Sequence, residues 1–284
     1  MMKKTGILTD SHSGITQEEA KKLGIYVLPM PFYINDQCHY EGKDISREEF
    51  IELLKNDENV STSQPSPEAV MNLWDEILKE YEELVYIPIS SGLSGSCSTA
   101  MAMAQNDDYD GKVFVVDNGR VSTPMKQSVL DAIELLNEGC SAKEIKNRLE
   151  DAKGKMGIFV AVDDLKYLKK GGRISSSVAL VGGMLKVKPI LKFDIGTLDS
   201  FKNCRGLIKA KTVMIEEVKR IVTTDYAEDF EKGNVHILAA SSADEEETKK
   251  WVNEIQEAFP GIKVLWDYLP MGITCHIGPG GLGI

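Results

Sequence analysis

Apolar positions in the first half of the chain fall into short runs separated by amphipathic stretches. The runs over 5–9, 26–32, 84–89 and 112–117 carry Val, Ile, Leu and Tyr at strand length. Val113-Phe114-Val115-Val116 is uninterrupted, as suits a parallel strand covered on both faces. Between the runs, apolar residues recur at helical spacing: Phe50, Leu53 and Leu54 form one stripe, and Val70, Leu73, Trp74 and Ile77 another. Thr16 with Glu19, Ser46 with Glu49, and Ser141 with Glu144 are capping boxes that start helices. Ser66 reads as an N-cap and Pro67 as the first helical residue. A further helix is predicted over 125–137. Strands alternating with helices predict a parallel α/β sheet with helices on both faces.

The pattern changes after Lys153-Gly154-Lys155, which predicts domains over 1–155 and 156–284. A strand over 156–162 is followed by a short helix that Gly171-Gly172 stops. Residues 175–185 are apolar with glycines, and a hairpin is centred on Ile195-Gly196. Helices over 207–222 and 244–259 then alternate with strands over 235–240 and 263–268. This mixed order predicts an α+β sandwich, with helices on one face of an antiparallel sheet. His276-Ile277-Gly278-Pro279-Gly280-Gly281 reads as a glycine-rich tail.

Composition narrows the function. The chain has 284 residues, 42% of them hydrophobic and 27% charged, which is enough for full cores. A net charge of −11 argues against a nucleic-acid partner. Five cysteines without a C-x-x-C pair, and four histidines without ligand spacing, predict neither disulfides nor a metal site, and fit a reducing compartment. The N-terminus lacks a signal-type apolar stretch, and no apolar run reaches the ~18 residues of a membrane span. A cytoplasmic protein without stable membrane insertion is therefore expected. No P-loop lysine motif is present, so neither ATP nor any other cofactor is expected on this chain.

Candidate chemistry gathers at two hydroxyl-rich loops. Ser90-Ser91-Gly92-Leu93-Ser94-Gly95 follows a buried strand and opens a small-residue helix, a setting that can hold an anion. Thr62-Ser63-Gln64-Pro65-Ser66 precedes another helix. In parallel sheets ligands sit beyond the carboxyl ends of strands, where Asp10-Ser11 and the first of these loops both lie. Asp10 is read as structural. Arg173 follows the double glycine and could balance a carboxylate or cap a carbonyl. His276 reads as a structural histidine or as a donor to the same anion. Two other readings compete. One is a serine hydrolase with Ser94 as nucleophile and His276 as base, although the G-x-S-x-G elbow is missing. The other is a sugar- or phosphate-binding α/β protein.

The ordered set of the two hydroxyl loops, Gly171-Gly172-Arg173-Ile174 and His276-Ile277-Gly278-Pro279-Gly280 resembles the DegV family over essentially the whole chain. Thr9-Asp10-Ser11 and Lys188-Pro189-Ile190-Leu191 are similar to that family as well. The resemblance implies a bacterial carrier of two α/β domains, not an enzyme, that binds a long-chain fatty acid between or beside them. It also implies a partner, the ATP-binding subunit of a fatty-acid kinase, which phosphorylates the presented carboxylate. By motif position, Thr62 and Ser94 contact the carboxylate, and Arg173 and His276 form a supporting network. Ser63, Ser91 and Gly95 complete the lipid-binding set. The family often continues the central loop with Thr-Tyr-Gln, where this chain has Ser96-Cys97-Ser98. Val178, Leu180, Val181, Met184, Leu185 and Met30 are candidates for the acyl tunnel.

Overall fold

A computed structural model describes residues 3–174, 187–194 and 197–284. The chain forms two compact units, one of residues 1–156 with 270–272, the other of residues 157–269 with 273–284.

The first unit begins with β1 (Lys3–Asp10), α1 (Gln17–Leu23) and β2 (Tyr26–Leu28). It continues through β3 (Pro31–Ile34), β4 (Gln37–Tyr40), α2 (Arg47–Lys55), β5 (Val60–Thr62) and α3 (Pro67–Leu78). Then follow β6 (Tyr81–Ile87), α4 (Gly95–Met103), β7 (Val113–Val115), α5 (Ser122–Asn137) and α6 (Ala142–Asp151). The main sheet has the order β2-β1-β6-β7, with every pair parallel.

The period of two along these strands divides the core between two faces. Leu8, Leu84 and Tyr86 pack with Val70, Trp74 and Ile77 of α3 and with Cys97 and Ala100 of α4. Ile7, Val85 and Ile87 pack with Ala20 of α1, Val129 and Ala132 of α5, and Ile145 and Leu149 of α6. Helices therefore cover both faces, as the unbroken apolar runs predict.

The single strand expected over 26–32 is instead two. β2 ends at Leu28, and the chain turns through Pro29 and Met30 into β3, the middle strand of a separate antiparallel sheet β4-β3-β5. Proline lacks an amide for a ladder, so Pro29 and Pro31 interrupt a run that is apolar throughout. The Met30 amide turns to the Ser11 hydroxyl at 3.0 Å. Thr62, read as a loop residue, is the last residue of β5 and pairs with Phe32.

The second unit contains β8 (Ile158–Ala161), α7 (Lys166–Gly171), β9 (Val187–Asp194), β10 (Thr197–Arg205), α8 (Leu207–Thr224) and α9 (Ala227–Glu231). β11 (Leu238–Ser241), α10 (Glu245–Ala258), β12 (Leu265–Tyr268), α11 (Met271–Ile277) and β13 (Leu282–Gly283) complete the chain. The sheet order is β10-β9-β8-β13-β11-β12, antiparallel except for the β11–β12 pair. Its core joins Phe159, Ile190, Ala239 and Leu282 to Val213, Met214 and Val218 of α8 and to Trp251 and Ile255 of α10.

The glycine-rich stretch is no free tail. His276 lies in the last turn of α11, and β13 inserts between β8 and β11. The Trp251 indole N–H donates to the Gly283 carbonyl at 2.9 Å, tying α10 to this strand. The apolar stretch 175–185, and with it Val178, Leu180, Val181, Met184 and Leu185, lies outside the described residues. Met30 is buried in the first unit.

Candidate functional site

At the carboxyl end of the parallel sheet, Asp10 is wholly buried and holds two segments at once. One oxygen accepts from the His12 amide and the other from the Ile89 amide, both at 2.9 Å. Ile89 directly precedes the Ser90 loop, so the end of β1 fixes where that loop begins. The structural role read for Asp10 is the one its hydrogen bonds describe.

The loop itself is a tight turn. The Leu93 and Ser94 amides donate to the Ser90 carbonyl at 3.0 and 3.1 Å, and the Gly92 amide donates to the Ser90 hydroxyl at 3.2 Å. The Ser90 amide donates to the Arg120 carbonyl at 2.9 Å. The Ser91 amide and hydroxyl both go to the Asp117 carboxylate, at 3.2 and 2.6 Å. Every amide from Ser90 to Ser94 is thus engaged inside the protein. An anion is left with the first turn of α4 and its hydroxyls, a narrower offer than the sequence suggests. Ser91 has already committed its proton, so it anchors the loop.

Ser94 is the N-cap of α4 and is half-buried. Its oxygen accepts from the Ser96 amide at 3.3 Å and lies 3.0 Å from the Ser96 hydroxyl, where either group can donate. When Ser96 donates, the Ser94 proton is available to a ligand. Ser96 is buried and was not among the predicted contacts. Cys97, next along, is also buried; burial first, and then the Asp117 charge, push its thiol up to about 12. It is held as a neutral packing group.

The two hydroxyl loops are neighbours. The Thr99 hydroxyl of α4 donates to Gln64 Oε1 at 3.3 Å, and the same oxygen approaches Gly95, 3.4 Å from where a Cβ would stand. Gln64 therefore links the strand end that carries Thr62 to the helix start that carries Ser94. Ser63 is exposed and turns its hydroxyl to the Gln64 carbonyl at 3.1 Å. An open groove of about 500 Å³ beside this link is lined by Pro67, Ser98, Thr99, Ala102, Met103 and Asn106. It faces solvent and does not exclude water from an acyl chain.

In the second unit Arg173 and His276 meet on one glycine. Arg173 Nη1 donates to the Gly171 carbonyl at 2.5 Å, and the Arg173 amide donates to the Leu168 carbonyl at 3.3 Å. A Cβ on Gly171 would overlap the His276 ring. Gly278, with φ of 79°, lies against the Tyr167 ring just as closely. The Ser242 hydroxyl clamps the same segment by donating to the Gly278 carbonyl at 2.6 Å. The glycines of the motif thus admit rings of neighbouring side chains, and the arginine follows the left-handed C-cap Gly172 that ends α7.

A family model described as "Uncharacterised protein, DegV family" matches residues 4–284. The chain belongs to the DegV family. A DegV domain-containing protein of Staphylococcus aureus (strain N315) is 31% identical over 283 residues, covering 100% of this chain and 98% of that protein. Among solved structures, a DegV family protein from Thermus thermophilus, described by its fatty acid binding, matches with a TM-score of 0.86 at 28% identity, over 99% of this chain and 98% of that one. DegV from Bacillus subtilis, described as a fatty acid binding protein, matches with a TM-score of 0.80 at 29% identity, again over 99% and 98%. The two-domain DegV architecture, a parallel sheet followed by a mostly antiparallel one, is the one described above.

Sequence reasoning missed Gln64, Ser96 and Asp117. Asp117 carried a legible signal: like Asp10, it is a carboxylate at the carboxyl end of a buried parallel strand. No helix among the described residues is long and apolar enough to cross a membrane, and no cluster there could hold a metal ion.

Proposed function

We propose that this protein is a carrier that binds one long-chain fatty acid. The hydroxyls of Thr62 and Ser94 donate to its carboxylate, and Arg173 and His276 form a supporting polar network. The observation that carries the reading is the Gln64 link, which makes neighbours of two hydroxyl loops whose motif set belongs to a family with fatty-acid-binding members. Ser91 and Gly95 shape the loop, and Ser63 lies at its margin.

Affinity comes mainly from the acyl tail. A chain of about 16 carbons buries roughly 14 methylenes at ~0.8 kcal/mol each, about 11 kcal/mol gross. Charge-assisted hydrogen bonds at the head group add about 1.5–3 kcal/mol each, and association costs remove several. The head contacts then set direction more than strength. Such a division suits a carrier that presents its carboxylate to a separate ATP-binding kinase subunit for acyl-phosphate formation, the partner implied by the resemblance. A serine hydrolase is not favoured: among the described residues, the partners of the Ser94 hydroxyl are the Ser96 amide and hydroxyl, not a base.

Titration of the delipidated protein with hexadecanoic acid tests the reading. Thr62→Ala and Ser94→Ala should each weaken binding by about 1–3 kcal/mol. Arg173→Ala should weaken binding of the acid but not of its methyl ester. Equal losses for acid and ester would remove Arg173 from the head-group set.

A further inference from the structure

We propose that Asp117 is a positioning residue for the head-group site: through Ser91 it holds the Ser90–Gly95 turn so that the Ser94 hydroxyl faces the ligand carboxylate. The proposal rests on the reading of Ser94 as a head-group contact.

Asp117 follows β7, and its side chain is only 14% exposed. One carboxylate oxygen takes the Ser91 amide, and the other takes both the Ser91 hydroxyl and Lys153 Nζ, the last at 2.7 Å. The Asp117 amide in turn donates to Glu150 Oε1 at 3.0 Å. Glu150 is paired with Lys146, whose Nζ also reaches the Val115 carbonyl at 2.6 Å. Lys146 thus pairs with Glu150 and Lys153 with Asp117, and the Asp117 amide joins the two pairs between α6 and the loop. Loss of Lys153 would leave the mostly buried Asp117 carboxylate with only the Ser91 donors.

The turn transmits this hold. Ser90 accepts from the amides of Gly92, Leu93 and Ser94, so the segment from Ser90 to Ser94 moves as one piece. Ser91 is its grip, and Ser94 is its far end. Lys153 has a second effect, because it neutralises an anion that would otherwise stand near a site for another anion. Burial raises the Asp117 pKa, but the bonds from Lys153 and Ser91 outweigh it and hold the carboxyl below its usual range. The other charged or titratable groups facing this region are Glu150, Asp10 and the neutral Cys97 thiol.

A double-mutant cycle on the full chain decides the matter, read by calorimetric titration with hexadecanoic acid. The variants are Asp117→Asn, Ser94→Ala and the pair. Each single variant should lose about tenfold in affinity. The pair should lose no more than one of them, because Asp117 acts only through Ser94. Losses that multiply in the pair, or an Asp117→Asn variant that binds like the parent while Ser94→Ala does not, overturn the positioning role and leave Ser94 as a contact. An unaffected Ser94→Ala overturns the head-group reading, and the proposal with it. Where Asp117→Asn fails to fold, Ser91→Ala replaces it in the same cycle, with the same expected non-additivity.

Discussion

Replacing Asp10 by alanine tests the physical basis of the loop. Asp10 is fully buried, and its two oxygens satisfy the amides of His12 and Ile89. Alanine leaves both donors without an acceptor in a place water does not reach. A stranded buried donor costs about 1–3 kcal/mol, so the pair should cost ~2–6 kcal/mol. The neighbouring Thr9 gives an internal comparison: its hydroxyl donates to the Ile87 carbonyl at 2.8 Å, within a strand pair that already holds that carbonyl's segment. Thr9→Val removes one such bond while keeping the shape, and should cost about 1 kcal/mol. Urea unfolding gives the totals, and amide hydrogen exchange gives the location. Exchange in Asp10→Ala should quicken first at Ile89 and His12, and only later along the paired residues of β1 and β6. A loss below about 1 kcal/mol, or early exchange spread evenly over the sheet, would contradict the assignment of Asp10 as the clamp at the loop's origin.

Further outcomes follow from the same geometry. The Asp117 carboxyl is held below its ordinary range in the folded protein, so it contributes stability above the unfolded pKa that is lost as pH falls through the folded one. Asp117→Asn should therefore flatten the acid side of a stability-versus-pH curve below about pH 4, and an unchanged acid limb would count against the ionised clamp. Cys38 is exposed, whereas Cys97 is buried with its thiol pushed up to about 12, so a thiol reagent at neutral pH should modify Cys38 quickly and Cys97 only after unfolding. Mass mapping of early label on Cys97 would refute that burial. Gly171→Ala forces the His276 ring aside, so the His276 resonances should shift and fatty-acid affinity should fall while the first unit's exchange rates stay unchanged. Unshifted His276 resonances would refute the close packing of ring on glycine.

Much of the architecture was legible in the chain, for reasons of period and punctuation. The uninterrupted run at Val113–Val115 and the capping boxes at Ser46 and Ser141 gave elements close to those observed, because burial on both faces and local capping are written within a few residues. The 26–32 run misled because apolarity continues across a change of sheet, and only Pro29 and Pro31 record the break. The small strands β5 and β13 were missed because their partners are distant in sequence: β13 pairs Leu282 with Ser241 and Ala161. β4 follows β3 across the turn at Asn35-Asp36, but it is half exposed and carries no apolar alternation. The tail reading of His276 failed for the same reason. Its glycines look like flexibility, but Gly278 lies against the Tyr167 ring and Gly280 against the Asp163 carboxylate.

The candidate site was legible as a set of motifs and not as a hydrogen-bond network. Ser94 as an N-cap could be read from a serine before a glycine at a helix start. The direction of its proton depends on Ser96, and the placing of its loop depends on Asp117, which lies 26 residues from Ser91. Ser91 looked equivalent to Ser94 in sequence, yet its proton is bound to that carboxylate. The contact between Gln64 and Thr99 spans 35 residues and has no local signature beyond the presence of both side chains.

The central claim is fatty-acid binding with a hydroxyl-held head group, and native mass spectrometry of the full chain tests it most directly. The delipidated protein with added hexadecanoic acid should gain the mass of one fatty acid per chain. The Thr62→Ala/Ser94→Ala double variant should retain markedly less at the same concentration, a loss of about 2–6 kcal/mol if the two donors act independently. A parent chain that takes up no fatty acid would contradict the function, and a double variant that retains it as the parent does would place the head group elsewhere.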